Sequence, residues 1–384
     1  MLSSSQFQTW FAVQGCDDKV GLAKTGCGPG DPLADLMYNV ALVPALRQIE
    51  KHILDKQLVF SFSSDHIVPF QPAAAFPVAA AGYASMSTSA DDFAAAVPVF
   101  DRNPETFIAS LLDMPSEVAR VLTSRGMVLN TKRGKCAIMI SLVGPGCRKL
   151  QLLVDRTPTL SVAPQIEVFV ENQYTHLGGV ITRDSSLGPE VKLRSKNSST
   201  NVSAFGQTIL KRTSLPGKEL ATLSDSLRVS SILYNAHTWV NFHLRDTRKL
   251  HSCLIQAYSV TVREKLYCSV AAKKRVPDTV ILAASARLSL SHQLTVRRLR
   301  FLHRILLHGS HLNVALIDLG IGVGGSFASL IIDDFEWLRS FDHSLAQMPP
   351  PLDSLSEWAN FAITLKFCLH IKRASREALH TSKD

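Results

Sequence analysis

The sequence is poor in aromatic residues, at 7%, and in charged ones, at 19%. Its seven cysteines (Cys16, Cys27, Cys136, Cys147, Cys253, Cys268 and Cys368) never pair as C-x-x-C. An odd, scattered set excludes a secreted disulfide framework and a zinc ribbon, and fits thiols in a reducing compartment. Long hydrophobic runs are missing too. The most apolar tract, near residues 67–100, is cut by Pro69, Pro72, Pro77, Asp91 and Asp92. A membrane span needs about 20 predominantly apolar residues, so none is expected. Residues 1–10 have neither a basic start nor an apolar block, so no secretory leader is expected either. The chain is placed inside the cell, in nucleus or cytoplasm. The glycines of residues 21–31 are not followed by G-K-S/T, which excludes a P-loop. No internal repeat is visible.

Apolar residues make up 46% of the 384, enough for a sizeable core and for two or three domains. The net charge is +9, and its distribution is uneven. Residues 190–310 hold 20 Lys and Arg against 6 Asp and Glu, a local +14, while the rest of the chain carries −5. A basic third beside an acidic remainder points to a polyanion partner, nucleic acid first. A solvated basic surface would give the same count.

Local patterns divide the chain by character. Asp31 and Pro32 suit the cap and first position of a helix over 31–55, with Leu33, Leu36, Met37 and Val40 at helical spacing. Pro44 should kink or end it. Residues 73–99 read as two short strands with Asp91-Asp92 at the turn. Asn103-Pro104 opens another helix, interrupted by Pro115 and closed by Gly126. Strands are expected at 136–143, 148–154, 166–170 and 174–182. A polar linker over 185–203 then leads to helices near 204–240, 246–268, 288–308, 326–346 and 353–378, with Trp239 as a core anchor. The order implies an α+β domain followed by a helical one.

Adjacent carboxylates at a hairpin turn repel and gather a cation. Mg²⁺ takes one or two such groups together with phosphate oxygens and water, and can run phosphoryl transfer. The dipeptide alone is weak; Asp17-Asp18 and Asp333-Asp334 repeat it. Its surroundings carry more. Gly30-Asp31-Pro32-Leu33 is followed by Ser89-Ala90-Asp91-Asp92. Gly126-Met127-Val128-Leu129-Asn130 comes next, with Gly134-Lys135-Cys136. Then come Tyr174-Thr175-His176-Leu177-Gly178-Gly179 and Ser231-Ile232-Leu233-Tyr234-Asn235-Ala236-His237-Thr238-Trp239. In this order the chain resembles the reverse transcriptases of non-long-terminal-repeat (LINE-type) retrotransposons, over about residues 10–310.

The resemblance implies a partial polymerase palm, an antiparallel sheet with packed helices, over 1–184. It implies a helical thumb over 185–275 and a helical C-terminal region over 276–384. It implies that Asp91 and Asp92 hold Mg²⁺, that Lys135 faces the leaving pyrophosphate, and that Gly30 and Asp31 lie beside template or nucleotide. Tyr174 and His176 would line the primer grip, with an RNA template and DNA primer as partners. The chain departs from the family where Ser89 replaces an aromatic and Cys136 a threonine. The fingers and the first catalytic aspartate have no counterpart in residues 1–25. An RNA-directed DNA polymerase that is truncated and inactive alone is therefore expected. The alternative is a non-catalytic nucleic-acid-binding remnant using the 190–310 surface, with Arg297, Arg298, Arg300 and Arg304 as a basic helical strip or a merely solvated face. A further rival is a dinucleotide-binding enzyme, because Gly320 to Gly325 matches G-x-G-x-x-G, with Asp342 about 20 positions on.

Overall fold

A computed structural model describes residues 9–12, 20–23, 34–58, 60–63, 81–84, 86–89, 92–101, 103–200, 208–210, 214–240, 242–262, 276–309, 311–318 and 320–381. The fold is α+β and mostly helical, and among the described residues no sheet exceeds three strands. In chain order come β1 (Thr9–Ala12), β2 (Val20–Ala23), α1 (Ala34–Asp55), β3 (Phe60–Ser63) and β4 (Ala81–Ala84). Next are β5 (Met86–Ser89), β6 (Asp92–Ala95), α2 (Pro104–Ser124), β7 (Ala137–Ile138) and α3 (Cys147–Asp155). Then follow β8 (Thr159–Ala163), β9 (Ile166–Val170), β10 (Gln173–His176) and β11 (Gly179–Thr182). The rest is helical: α4 (Gly188–Thr200), α5 (Gly217–Ser224), α6 (Leu244–Tyr258), α7 (Asp278–Ser285) and α8 (Leu290–His308). The chain closes with α9 (His311–Asp318), α10 (Phe327–Phe341), α11 (Leu355–Ala362) and α12 (Phe367–Thr381). Among the described residues no helix is long and apolar enough to cross a membrane.

The chain divides into two compact units. The first comprises Met1–Phe60, Ser85–Cys136 and Gly144–Phe169; the second comprises Ser61–Ala84, Ala137–Val143 and Val170–Asp384. In the first, α1 and α2 pack through residues one turn apart: Ala45, Ile49 and Ile53 against Met114, Val118 and Val121. The Asn103 side chain caps α2 by accepting the Glu105 N–H at 3.1 Å, and Gly126 follows the other end at φ +75°. Asn103→Ala is expected to lower stability by about 1 kcal/mol, read from the urea midpoint of helix signal. An unchanged midpoint would mean that the cap contributes nothing.

Both prolines sit inside helices: the helix expected over 31–55 runs through Pro44 to Asp55, and the interruption expected at Pro115 does not form. A proline in a helix interior costs about 3 kcal/mol. Burial of the α1–α2 face on either side of each proline offsets that cost. Residues 148–154 form α3 rather than a strand. Leu150 and Val154 are one helical turn apart and both are buried, so the period of four decides the short run. The expected linker over 185–203 is largely α4, held by buried Val191 and the Glu190–Arg194 pair. Of the strand expected over 136–143, only Ala137–Ile138 forms. The helix expected near 204–240 is divided: α5 runs into a π-turn at Asp225–Val229, and a 3-10 turn follows at Ala236–Thr238.

The second unit has two large apolar clusters, and α8 serves both. Its Leu290 and Leu294 join Val191, Ile232, Leu233, Trp239, Leu250 and Leu254. Its Leu299, Leu302 and Leu306 join Ile331, Phe335, Leu338, Trp358 and Phe367. Trp358 is fully buried, lies 5.0 Å from the Phe335 ring and donates its indole N–H to the Pro349 carbonyl. A helix committed to two cores has little apolar surface left, so its remaining side is polar.

Candidate nucleic-acid interface

Two of the quoted sequence stretches meet in the second unit. Strands β10 and β11 pair antiparallel with His176 opposite Gly179, leaving Leu177-Gly178 as a two-residue turn. Both turn residues have positive φ, +48° and +76°. That is the signature of a type I′ turn, which suits the twist of a hairpin. Glycine tolerates it freely, whereas leucine is strained there. The surroundings hold the strained turn in place. Tyr234 donates its hydroxyl to the Leu177 carbonyl at 2.9 Å, and Arg194 donates to the Gly178 carbonyl. Glu190 accepts from Arg194 Nε and from the Val180 N–H, both at 2.7 Å. The Arg194 guanidinium also lies 4.5 Å from the centre of the Tyr234 ring. Glu190 and Arg194 are 2% and 5% exposed, so this is a buried charge pair with its hydrogen bonds largely filled. Tyr174 and His176 sit two apart on one face of β10, both half-buried, with ring centres 6.4 Å apart.

The basic strip on α8 splits in two. Arg297, Arg300 and Arg304 line an open cleft of about 540 Å³ together with His237, Phe301, Arg287 and Asp225. Asp225 is the one carboxylate among the described residues of that lining, and it is already engaged: Arg287 Nε and the Tyr258 hydroxyl donate to it at 2.6 and 2.5 Å. Four arginines against one aspartate leave the lining at +3. Among the described residues none of Arg297, Arg300 and Arg304 makes an ion pair. Burial draws the Arg297 guanidinium below its ordinary pKa, yet an arginine stays charged. Burial, then Arg297 and Arg304, push His237 down and favour its neutral form. Burial, then Asp225, push the Tyr258 phenol up, which keeps it a donor.

Arg298 points the other way. It is 7% exposed and makes a two-toothed pair with Asp334, through Nε and Nη2 at 2.7 Å each. Thr295 adds a hydroxyl bond to the same carboxylate at 2.6 Å. Arg298 is therefore a core residue and not part of an exposed strip. Asp333-Asp334, one of the repeats of the acid dipeptide, lies inside α10 with Asp334 1% exposed.

The remaining expected site residues are scattered or fall outside the described residues. Gly30, Asp31 and Asp91 belong to the second group. Strands β5 and β6 pair antiparallel with Ser89 opposite Asp92, so the backbone places Asp92 at the first position of β6. The Asp92 side chain is not described, so the fit of Mg²⁺ to this pair rests on sequence. Among the described residues no group of three or more His, Cys, Asp or Glu gathers to hold a metal. Lys135 is exposed in the turn before β7, which is closed by the Cys136 N–H bonding the Asn130 carbonyl at 3.2 Å. Gly320 to Gly325 follows α9, a helix, where a dinucleotide turn needs a strand. Asp342 caps a 3-10 turn and lies 2.8 Å from His370 Nδ1.

Sequence reasoning missed Asp225, His237, Tyr258, Arg287 and Phe301 in the cleft, and Glu190 and Arg194 under the hairpin. One signal was available. At about 100° per helical residue, positions 297, 300, 301 and 304 share a face and 298 stands a quarter turn away. Comparisons of the chain with protein-family models, with curated proteins and with solved structures return no match.

Proposed function

We propose that the chain binds nucleic acid through phosphate contacts made by Arg297, Arg300 and Arg304, as a reverse-transcriptase-like protein whose helical part holds a strand without reading its sequence. The observation that carries this is a cleft lining of net +3 in which these three arginines form no ion pair among the described residues. Arginine is the side chain best suited to phosphate, because its planar donors match the oxygens in pairs. The order of the quoted motifs supports the family part of the reading, as does the contact of Tyr234 with the Leu177-Gly178 turn.

Titration of labelled RNA and DNA against salt tests it. Dissociation constants of about 10⁻⁴–10⁻⁶ M at physiological salt are expected, with little dependence on base sequence. Changing Arg297, Arg300 and Arg304 together to Ala should flatten the log–log salt dependence by roughly 2–3, since each phosphate no longer held removes about 0.7–0.9 from the slope. A slope unchanged in the triple variant would remove the cleft from the interface.

A catalytic reading rests on a different observation, the β5–β6 pair that carries Asp92 at the start of β6. Template-dependent extension with Mg²⁺ that vanishes in Asp91→Ala would establish it. The binding reading expects no such synthesis from the chain alone.

A further inference from the structure

We infer that the cleft takes a single strand in preference to a duplex, with its phosphates on Arg297, Arg300 and Arg304 and a base against the Phe301–His237 wall; this rests on the nucleic-acid reading above. The three arginines lie at positions i, i+3 and i+7 of α8. At a rise of about 1.5 Å per residue they span about 10.5 Å of helix. One strand presents a charge about every 3.4 Å of duplex axis, so the row spans about three phosphate-to-phosphate steps. Held on one face with the single carboxylate of the lining, Asp225, already engaged by Arg287 and Tyr258, the three arginines repel each other, and Arg297 is half-buried without an ion pair among the described residues. A row of anions relieves both costs.

An aromatic wall stands beside the arginine row. Phe301 lies on the same face of α8 as the arginines, and its ring centre is 4.2 Å from that of His237. With His237 favoured neutral, the pair offers an apolar surface next to the positive charges. A positive groove with aromatic side chains is the common device for holding single strands, since every base has a π-face. Base faces are available in a single strand and hidden in a stacked duplex. The cleft volume of about 540 Å³ lies within the range of small-ligand sites. A space of that size receives bases of one strand, not the cross-section of a double helix.

The test uses the full chain, labelled 12-nucleotide RNA, a duplex of the same length, and tripolyphosphate as competitor. The single strand is expected to bind at least tenfold tighter than the duplex. Phe301→Leu should weaken single-strand binding by about 5- to 150-fold, the reach of one stacked base. Photo-cross-linking of 5-bromouridine RNA to the wild-type chain, which needs no variant, should place adducts on Phe301 or His237. Equal affinity for strand and duplex, adducts confined to other segments, or tripolyphosphate competing as well as RNA per charge would each overturn the inference. Loss of all binding in the triple arginine variant, with no strand preference in the wild type, sinks this inference and leaves the nucleic-acid reading standing. Failure of the wild type to bind any nucleic acid at low salt sinks both.

Discussion

Asp334→Ala is expected to lower the unfolding free energy of the second unit by about 3–5 kcal/mol, the cost of leaving one partner of a buried ion pair uncompensated. Asp334 is 1% exposed and accepts both 2.7 Å bonds of Arg298 and the hydroxyl of Thr295. Without it, a guanidinium 7% exposed would lose the carboxylate that accepts two of its hydrogen bonds. Water cannot reach it without opening the packing of α8 on α10. Urea unfolding followed by tryptophan fluorescence suits the measurement, since Trp337 and Trp358 lie in or against the same core. The double change Arg298→Met with Asp334→Leu should recover most of the loss, because a buried pair replaced by apolar residues of similar size is often neutral. A cost below about 1 kcal/mol for Asp334→Ala, against the usual range for a broken buried pair, would show the site to be hydrated.

Arg194→Ala is expected to cost a similar 3–5 kcal/mol, roughly, with its effect centred on the β10–β11 turn. Three losses coincide there. Glu190 keeps only the Val180 N–H, the Gly178 carbonyl loses a donor, and Tyr234 loses the cation over its ring. Hydrogen exchange gives the local readout, because the Val180 amide is held by the carboxylate that Arg194 positions. Its protection should fall with the variant. Tyr234→Phe removes one hydrogen bond and should cost only about 1 kcal/mol. Gly178→Ala should cost about 1–2 kcal/mol for the left-handed backbone, since an added Cβ meets Tyr234 only at an ordinary 3.8 Å. Unchanged exchange at Val180 in Arg194→Ala would detach the turn from the charge pair.

The parts of the fold written in local chemistry were legible in advance. Asn103-Pro104 announces α2 and Gly126 ends it, and the helix expected near 288–308 is α8; the strand expected over 174–182 instead folds back at Leu177-Gly178 as β10 and β11. Short apolar runs were not legible in the same way. Residues 148–154 satisfy a strand or a helix equally until Leu150 and Val154 find a surface one turn apart. The linker expected at 185–203 carries the polar residues of a loop, and becomes α4 because Glu190 can be buried once Arg194 and the Val180 amide are beside it.

Charge divides along the same line. Sequence alone places an excess of positive charge in residues 190–310, because counting needs no coordinates. Which of those charges line an open cleft is decided by tertiary structure. Arg297 and Arg298 are neighbours of identical chemistry, yet one lines a cleft and the other is sealed against Asp334. The difference is a rotation of about 100° between successive residues of one helix, together with a core on one side of it and solvent on the other. Nearest-neighbour chemistry holds the first kind of information. The second depends on partners far along the chain, Asp334 for Arg298 and the Asp225 side of the cleft for Arg297, whose approach only the packed chain defines.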